Sequence, residues 1–70
     1  MSGGAERRRG IVEEFDVERG LGTIVAEDGS RHRFHCIEIV NGTRSIEPGT
    51  AVGFELLAKL GRYEAARIAT

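Results

Sequence analysis

Glycine-containing turns divide this chain into short segments of strand-like sequence. Glu27-Asp28-Gly29-Ser30 has the composition of a tight turn, and Gly61 lies in a second turn. A long connection is predicted over 37–49, where two glycine dipeptides, one asparagine-led and one proline-led, interrupt regular structure. Strands are predicted over 8–15, 21–26, 31–36, 51–58 and 63–68. This pattern in 70 residues predicts an all-β fold, a small five-stranded antiparallel β-barrel.

The alternation of apolar and polar side chains assigns faces to these strands. In 51–58, the apolar residues Val52, Phe54 and Leu56 recur at every second position, as expected for the buried face of a strand. In 21–26, Gly22 and Ile24 are predicted to face inward. The opposite face of that strand then carries Leu21, Thr23 and Val25. That outward set is more apolar than solvent exposure alone requires.

The bulk composition indicates one small domain. Residues 1–7 are predicted to be a disordered tail and residues 8–70 the folded domain. The net charge of −1 does not call for a nucleic-acid partner, but a local basic patch can bind within a neutral total. Cys36 is the only cysteine, so we expect no internal disulfide and a reducing compartment, the cytoplasm. No segment is apolar over a length that spans a bilayer, and we expect no membrane partner.

Three segments, taken in order, resemble the bacterial cold-shock domain family. Residues 10–16 (GIVEEFD) are similar to its opening strand, GxVKWFN, and residues 19–24 (RGLGTI) to its first binding motif, KGFGFI. Residues 64–68 (EAARI) are similar to its closing sequence, QAANV. The resemblance covers nearly the whole chain. It implies a five-stranded OB-type β-barrel whose partner is single-stranded RNA or DNA.

The family's second binding motif, VFVHF followed by SAI, can be matched in two registers. Matching phenylalanine to phenylalanine places Arg33 and His35 inside the barrel, where a guanidinium is costly to bury. The shifted match sets residues 34–39 (FHCIEI) against VHFSAI. Phe34 then points inward, His35 takes the histidine position, and Ile39 takes the position of a buried isoleucine. We favour the shifted register.

The resemblance implies a set of nucleic-acid-binding residues on the sheet face of the first three strands. Family members stack bases on exposed aromatic rings, but most of those positions are not aromatic here. The tryptophan position, for example, is Glu14. The two remaining rings would stack on bases, and the three arginines would contact phosphate or stack. The candidates are Phe15, Arg19, Leu21, Thr23, Arg33, His35 and Arg44. Because several stacking rings are missing, and each stacked base is worth ~1–3 kcal/mol, we expect weak binding.

A protein-interaction module is the alternative that the missing rings favour. The same face carries Glu13 and Glu14, which repel phosphate. Leu21, Thr23 and Val25 would form its apolar centre, and its partner would belong to the transcription or translation machinery.

Catalytic and metal chemistry are not indicated. His35 and Cys36 are adjacent on a predicted strand and therefore point to opposite faces, so they are poorly placed to share a metal ion. Cys36 is predicted to be a buried structural residue. We expect no enzymatic activity and no cofactor.

Overall fold

The computed structural model describes residues 7–40, 45–59 and 61–70. Residues 1–6 of the predicted tail and the predicted site residue Arg44 lie outside the described residues.

Five strands form a single sheet. They are β1 (Arg8–Asp16), β2 (Leu21–Ala26), β3 (Arg31–His35), β4 (Ala51–Lys59) and β5 (Arg62–Ala69). Their order is β3-β2-β1-β4-β5, and every neighbouring pair is antiparallel. The two outer strands of this order, β3 and β5, lie in contact, and a parallel bridge joins Ile39 to Ile68. The sheet therefore curls into a barrel, which confirms the predicted all-β, five-stranded antiparallel fold.

The barrel core is built from the inward side chains of every strand. Val12, Ile24, Phe34, Phe54 and Ile68 are the largest fully buried side chains. Their positions confirm the predicted alternation in β2 and β4, and Phe34 lies inside as the shifted register requires. The same register places Ile39 in the core, and Ile39 is buried. Among the described residues no helix has the length and apolar character needed to cross a bilayer.

A bulge in β1 changes which residues face the core. Val12 pairs with Ile24 and Glu14 pairs with Thr23, so Glu13 is an extra residue with no partner of its own on β2. One extra residue reverses the alternation beyond it. Gly10 and Val12 face the core before the bulge, and Phe15, which pairs with Gly22, faces it afterwards. Glu14 consequently lies on the outer face.

A second irregularity lies near the end of β5. Gly53 pairs with Ala69 but Glu55 pairs with Ala66, so β5 has one more residue than β4 in this interval. Arg67 takes up the difference in a left-handed conformation, with φ of +52°. Two consecutive residues, Ala65 and Ala66, are buried just before it. Strict alternation would not place both of them inside.

The end of β3 differs from the prediction. The sequence predicts a strand that includes Cys36, but the strand ends at His35 and a short 3₁₀ helix follows over Cys36–Glu38. The amide of Cys36 donates to the carbonyl of Gly20 (2.8 Å), while its carbonyl accepts from Ile39 (3.1 Å), so the chain turns at this point. Cys36 packs against the core but is only partly buried, so the prediction of a buried cysteine is wrong in degree.

Candidate nucleic-acid interface

The outer face of β1, β2 and β3 carries its side chains in cross-strand rows. Residues directly opposite each other on antiparallel strands point to the same side of the sheet. The first row is Asp16–Leu21–His35, the second is Glu14–Thr23–Arg33, and the third is Ile11–Val25–Arg31. We call these three rows the outer face. Its strands bring together four predicted site residues, namely Leu21, Thr23, Arg33 and His35.

Arg19 lies beside the first row, in the turn between β1 and β2. A carboxylate oxygen of Asp16 accepts hydrogen bonds from the amides of Glu18 (3.0 Å) and Arg19 (3.2 Å). The turn closes on Gly20, whose φ of +68° is readily adopted by glycine. The Arg19 guanidinium lies 3.7 Å from the other Asp16 oxygen and remains largely exposed. Its charge is therefore available to an anion near the first row, although Asp16 offsets part of it.

The acidic side chains on and beside the outer face are not equivalent. Glu13 accepts a hydrogen bond from Arg31 at 3.0 Å and forms an ion pair with it. Glu14 and Arg33 are exposed, and within the described residues neither side chain makes a hydrogen bond or an ion pair. An open groove of about 190 Å³ runs between Glu14 and Arg33 and extends to Arg19. The face thus holds one free negative and one free positive group, one on each side of Thr23.

His35 presents an exposed imidazole at the end of β3. Its Nδ1 atom lies 4.0 Å from the Cys36 sulfur, its one polar contact within the described part of the chain. No group of three or more His, Cys, Asp or Glu residues in that part could hold a metal ion. The accessible ring of His35 can stack against a planar group.

Phe15 does not lie on the outer face. Its ring packs on Phe34, with centroids 5.8 Å apart and ring planes inclined by 17°, and it is partly buried against the core. The sequence resemblance implies instead a ring presented with the other candidates. The bulge at Glu13 is the reason for the difference, because it turns residue 15 toward the interior. Part of the ring remains accessible.

A family comparison agrees with this architecture. The 'Cold-shock' DNA-binding domain family matches residues 8–70. The chain belongs to the cold-shock domain family. Cold-shock domains bind nucleic acids, and the five-stranded OB-type barrel expected of the family is the fold observed here. No individual match was found among curated proteins.

The outer face of this cold-shock domain also has an apolar part that the sequence only partly indicated. Ile11 is 52% exposed and lies between Val25 of β2 and Ala51 of β4, each directly opposite it. The sequence pattern assigns Val25 outward but does not single out Ile11 or Ala51. The pairing of β1 with β4 brings Ile11 and Ala51 together. The alternation within a single strand cannot predict which strands pair.

Proposed function

We propose that this cold-shock domain binds single-stranded RNA or DNA weakly through the outer face. The observation that carries the proposal is the placement of Arg33 and His35, which are exposed on one strand, two residues apart, beside Thr23 and Leu21 respectively. A cation and a planar ring on one face are the two elements that single-strand binding uses.

Each candidate residue has a role in this proposal. Arg33 and Arg19 supply positive charge to the phosphates or stack on bases, and Arg44, which lies between β3 and β4 in the sequence, adds a third charge. His35 stacks on a base, and the accessible part of the Phe15 ring offers a second contact. Leu21 and Thr23 form the protein surface on which the nucleic-acid strand lies. Arginine suits these roles because its planar guanidinium both forks onto phosphate oxygens and stacks on rings.

Weak affinity follows from the composition of the face. His35 is the one fully presented ring on these rows, and stacking is worth ~1–3 kcal/mol per base. Glu14 adds an unpaired negative charge close to the path of a phosphate backbone. The Glu13–Arg31 ion pair removes one positive charge from the face. We place this activity in the cytoplasm, on the ground that a small domain with a single thiol suits a reducing compartment.

Reversing one charge tests the proposal. We expect Arg33→Glu to abolish binding of a short oligo-dT and of its RNA counterpart, while circular dichroism and the unfolding midpoint stay unchanged. Arg8→Glu is the matched control, because it makes the same change in net charge at an exposed position outside the three rows. Unchanged affinity in Arg33→Glu would exclude the outer face as the binding surface.

A titration followed by 15N-HSQC spectra locates the contact directly. With either oligonucleotide, we expect amide shifts at Phe15, residues 19–23 and residues 33–35 that persist at near-physiological salt. Shifts confined to the three N-terminal arginines, Arg7, Arg8 and Arg9, that disappear with salt would contradict the proposal.

The apolar part of the outer face supports a second candidate, a docking site for a protein of the transcription or translation machinery. Ile11 and Leu21 are 52% and 38% exposed, and Val25 lies next to Ile11. In that case we expect a pull-down with this domain to recover a protein partner in stoichiometric amount after nuclease treatment, and Ile11→Glu to prevent that recovery. If the domain binds only single strands, nuclease treatment should remove all the proteins that the pull-down recovers.

A further inference from the structure

We propose that the groove between Glu14 and Arg33 selects guanine among the bases of a bound single strand. This inference rests on the proposed function and makes it more specific. Binding by stacking and charge tolerates any base, whereas a groove that contacts base edges discriminates among them.

The two groups lie at a separation that spans a base. Glu14, Thr23 and Arg33 are directly opposite one another on three adjacent strands. Two steps across antiparallel strands place the outer Cα atoms about 10 Å apart, and all three side chains point to the same side. Thr23, at the centre of the row, has a short side chain, whereas Glu14 and Arg33, at its two ends, have long ones. A planar group resting on Thr23 would therefore meet a carboxylate at one edge and a guanidinium at the other.

Both end groups are free to make those contacts. Their neighbours form pairs within the protein: Arg31 with Glu13 at 3.0 Å, and Arg19 with Asp16 at 3.7 Å. Glu14 and Arg33 form no such pair among the described residues, and both line the same groove. A ligand that takes these two groups breaks no existing ion pair.

The chemistry of the two groups matches guanine. An ionised carboxylate only accepts hydrogen bonds, and its two oxygens can accept from two adjacent donors. Guanine is the one common base with two adjacent N–H donors on its Watson–Crick edge, N1–H and the N2 amino group. The arginine fork is the usual partner of guanine O6 and N7, which are acceptors. Adenine and cytosine each offer one exocyclic amino group, and thymine and uracil one ring N–H, so Glu14 would make a single contact to any of them.

Seven-nucleotide oligo-dT strands with one substituted central position test the selection. The central nucleotide is dG, dA, dC, dT or deoxyinosine, and affinity is measured by fluorescence anisotropy at one fixed salt concentration. We expect the dG strand to bind about tenfold more tightly than the dT strand, the scale of one good bidentate base contact. Deoxyinosine lacks only the N2 amino group and keeps O6, N7 and N1–H, so we expect its affinity to lie between those of the dG and dT strands.

Two variants assign the preference to the groove. Glu14→Gln removes a negative charge and replaces one acceptor oxygen with an NH2 donor, so it cannot pair side by side with both N1–H and the N2 amino group. The dT strand should therefore bind more tightly, while the preference for dG over deoxyinosine disappears. Glu13→Gln is the matched control. It removes the same charge one residue away, from a side chain already paired with Arg31, and the preference for dG should remain.

The outcomes separate this inference from the function on which it rests. If no strand binds, the proposed function fails. If all strands bind with equal affinity, the selection of guanine is wrong and sequence-tolerant binding remains. A preference for dG over deoxyinosine that persists in Glu14→Gln would also overturn the assignment, because the group that recognises the N2 amino group would then lie elsewhere.

Discussion

The ring of Phe34 occupies the space that a side chain at Gly22 would need. The two residues lie directly opposite each other on β3 and β2, and a Cβ atom built on Gly22 would come within 2.6 Å of Phe34 Cε1. The carbonyl oxygen of Glu14 would lie 2.9 Å from the same added Cβ atom. Gly22 is therefore required by close packing in the middle of a strand.

Gly22→Ala should lower the free energy of unfolding by about 2 kcal/mol, because the added methyl must displace either a buried ring or a backbone carbonyl. The urea unfolding midpoint measures the change. Thr23→Ala is the control, since it alters the next residue of β2 on the outer face. A midpoint in Gly22→Ala equal to that of the parent would mean that the barrel can open around Phe34.

Arg67→Asn should stabilise the domain by about 1 kcal/mol. Arg67 holds φ of +52°, a region that costs a residue with an ordinary side chain ~1–2 kcal/mol and that asparagine adopts more readily. The substitution gives up a long ion pair with Glu55 (3.8 Å), but that carboxylate, which is 20% exposed, keeps its second pair with Arg7 at 3.5 Å. Thermal unfolding is the measurement. Arg67→Ala removes the same ion pair without relieving the backbone, so a gain in that variant too would refute the conformational explanation.

The turn between β2 and β3 should make stability depend on pH in the acid range. The Ser30 hydroxyl (2.6 Å) and the Ser30 amide (2.9 Å) both donate to Asp28, and these hydrogen bonds lower the pKa of Asp28 below its usual 3.8. A carboxyl whose pKa is lower in the folded state stabilises the fold above its unfolded pKa, and that contribution is lost as the pH falls through the folded pKa.

We therefore expect Asp28→Ala to be less stable than the parent at neutral pH, and the difference to shrink below pH 3.8. Unfolding midpoints measured across pH 2–7 give the comparison. Asp28→Asn keeps an acceptor oxygen without a charge, so it should lose less stability and show no titration at this position. A pKa for Asp28 at or above 3.8, measured by NMR, would show that the turn does not favour the charged form.

Binding of single strands should depend only moderately on salt. Each phosphate neutralised on a single strand contributes about 0.7 to the slope of log affinity against log salt, so Arg19, Arg33 and Arg44 together predict a slope of about −2. Arg19→Gln should reduce the magnitude of the slope by about 0.7. Affinities measured from low to near-physiological salt provide the test. A slope near zero would assign the binding to stacking alone, and a much steeper one to the N-terminal arginines.

The parts of this fold that alternate regularly were predictable from the sequence. Ile24 in β2 and Phe54 in β4 both lie on strands that alternate with period two, and each is fully buried. The register of β3 was also predictable, because of the two possible matches only one kept Arg33 out of the core. The free-energy cost of burying polar groups determines which of these side chains face the core, and this can be inferred from a single sequence.

The two bulges were not predictable in the same way. Phe15 follows the extra residue in β1, and Arg67 lies at the extra residue in β5. The two-residue alternation of apolar and polar side chains does not indicate either extra residue. The position of a bulge depends on how one strand pairs with another, and these strands are distant in the sequence. For this reason the sequence placed Phe15 on the wrong side of β1, while it placed Leu21 and Thr23, on a regular strand, correctly.

The bulge at Glu13 makes two sequence neighbours belong to different environments: Glu14 lies in the groove and Phe15 lies against Phe34 in the interior. One peptide unit joins them, so a ligand that shifts the backbone at Glu14 would also displace the ring of Phe15. Ring currents would transmit that displacement to the methyl resonances of core residues around Phe34. In this protein, which has no tryptophan, the methyl resonances of the core can therefore be used to detect ligand binding on the outer face.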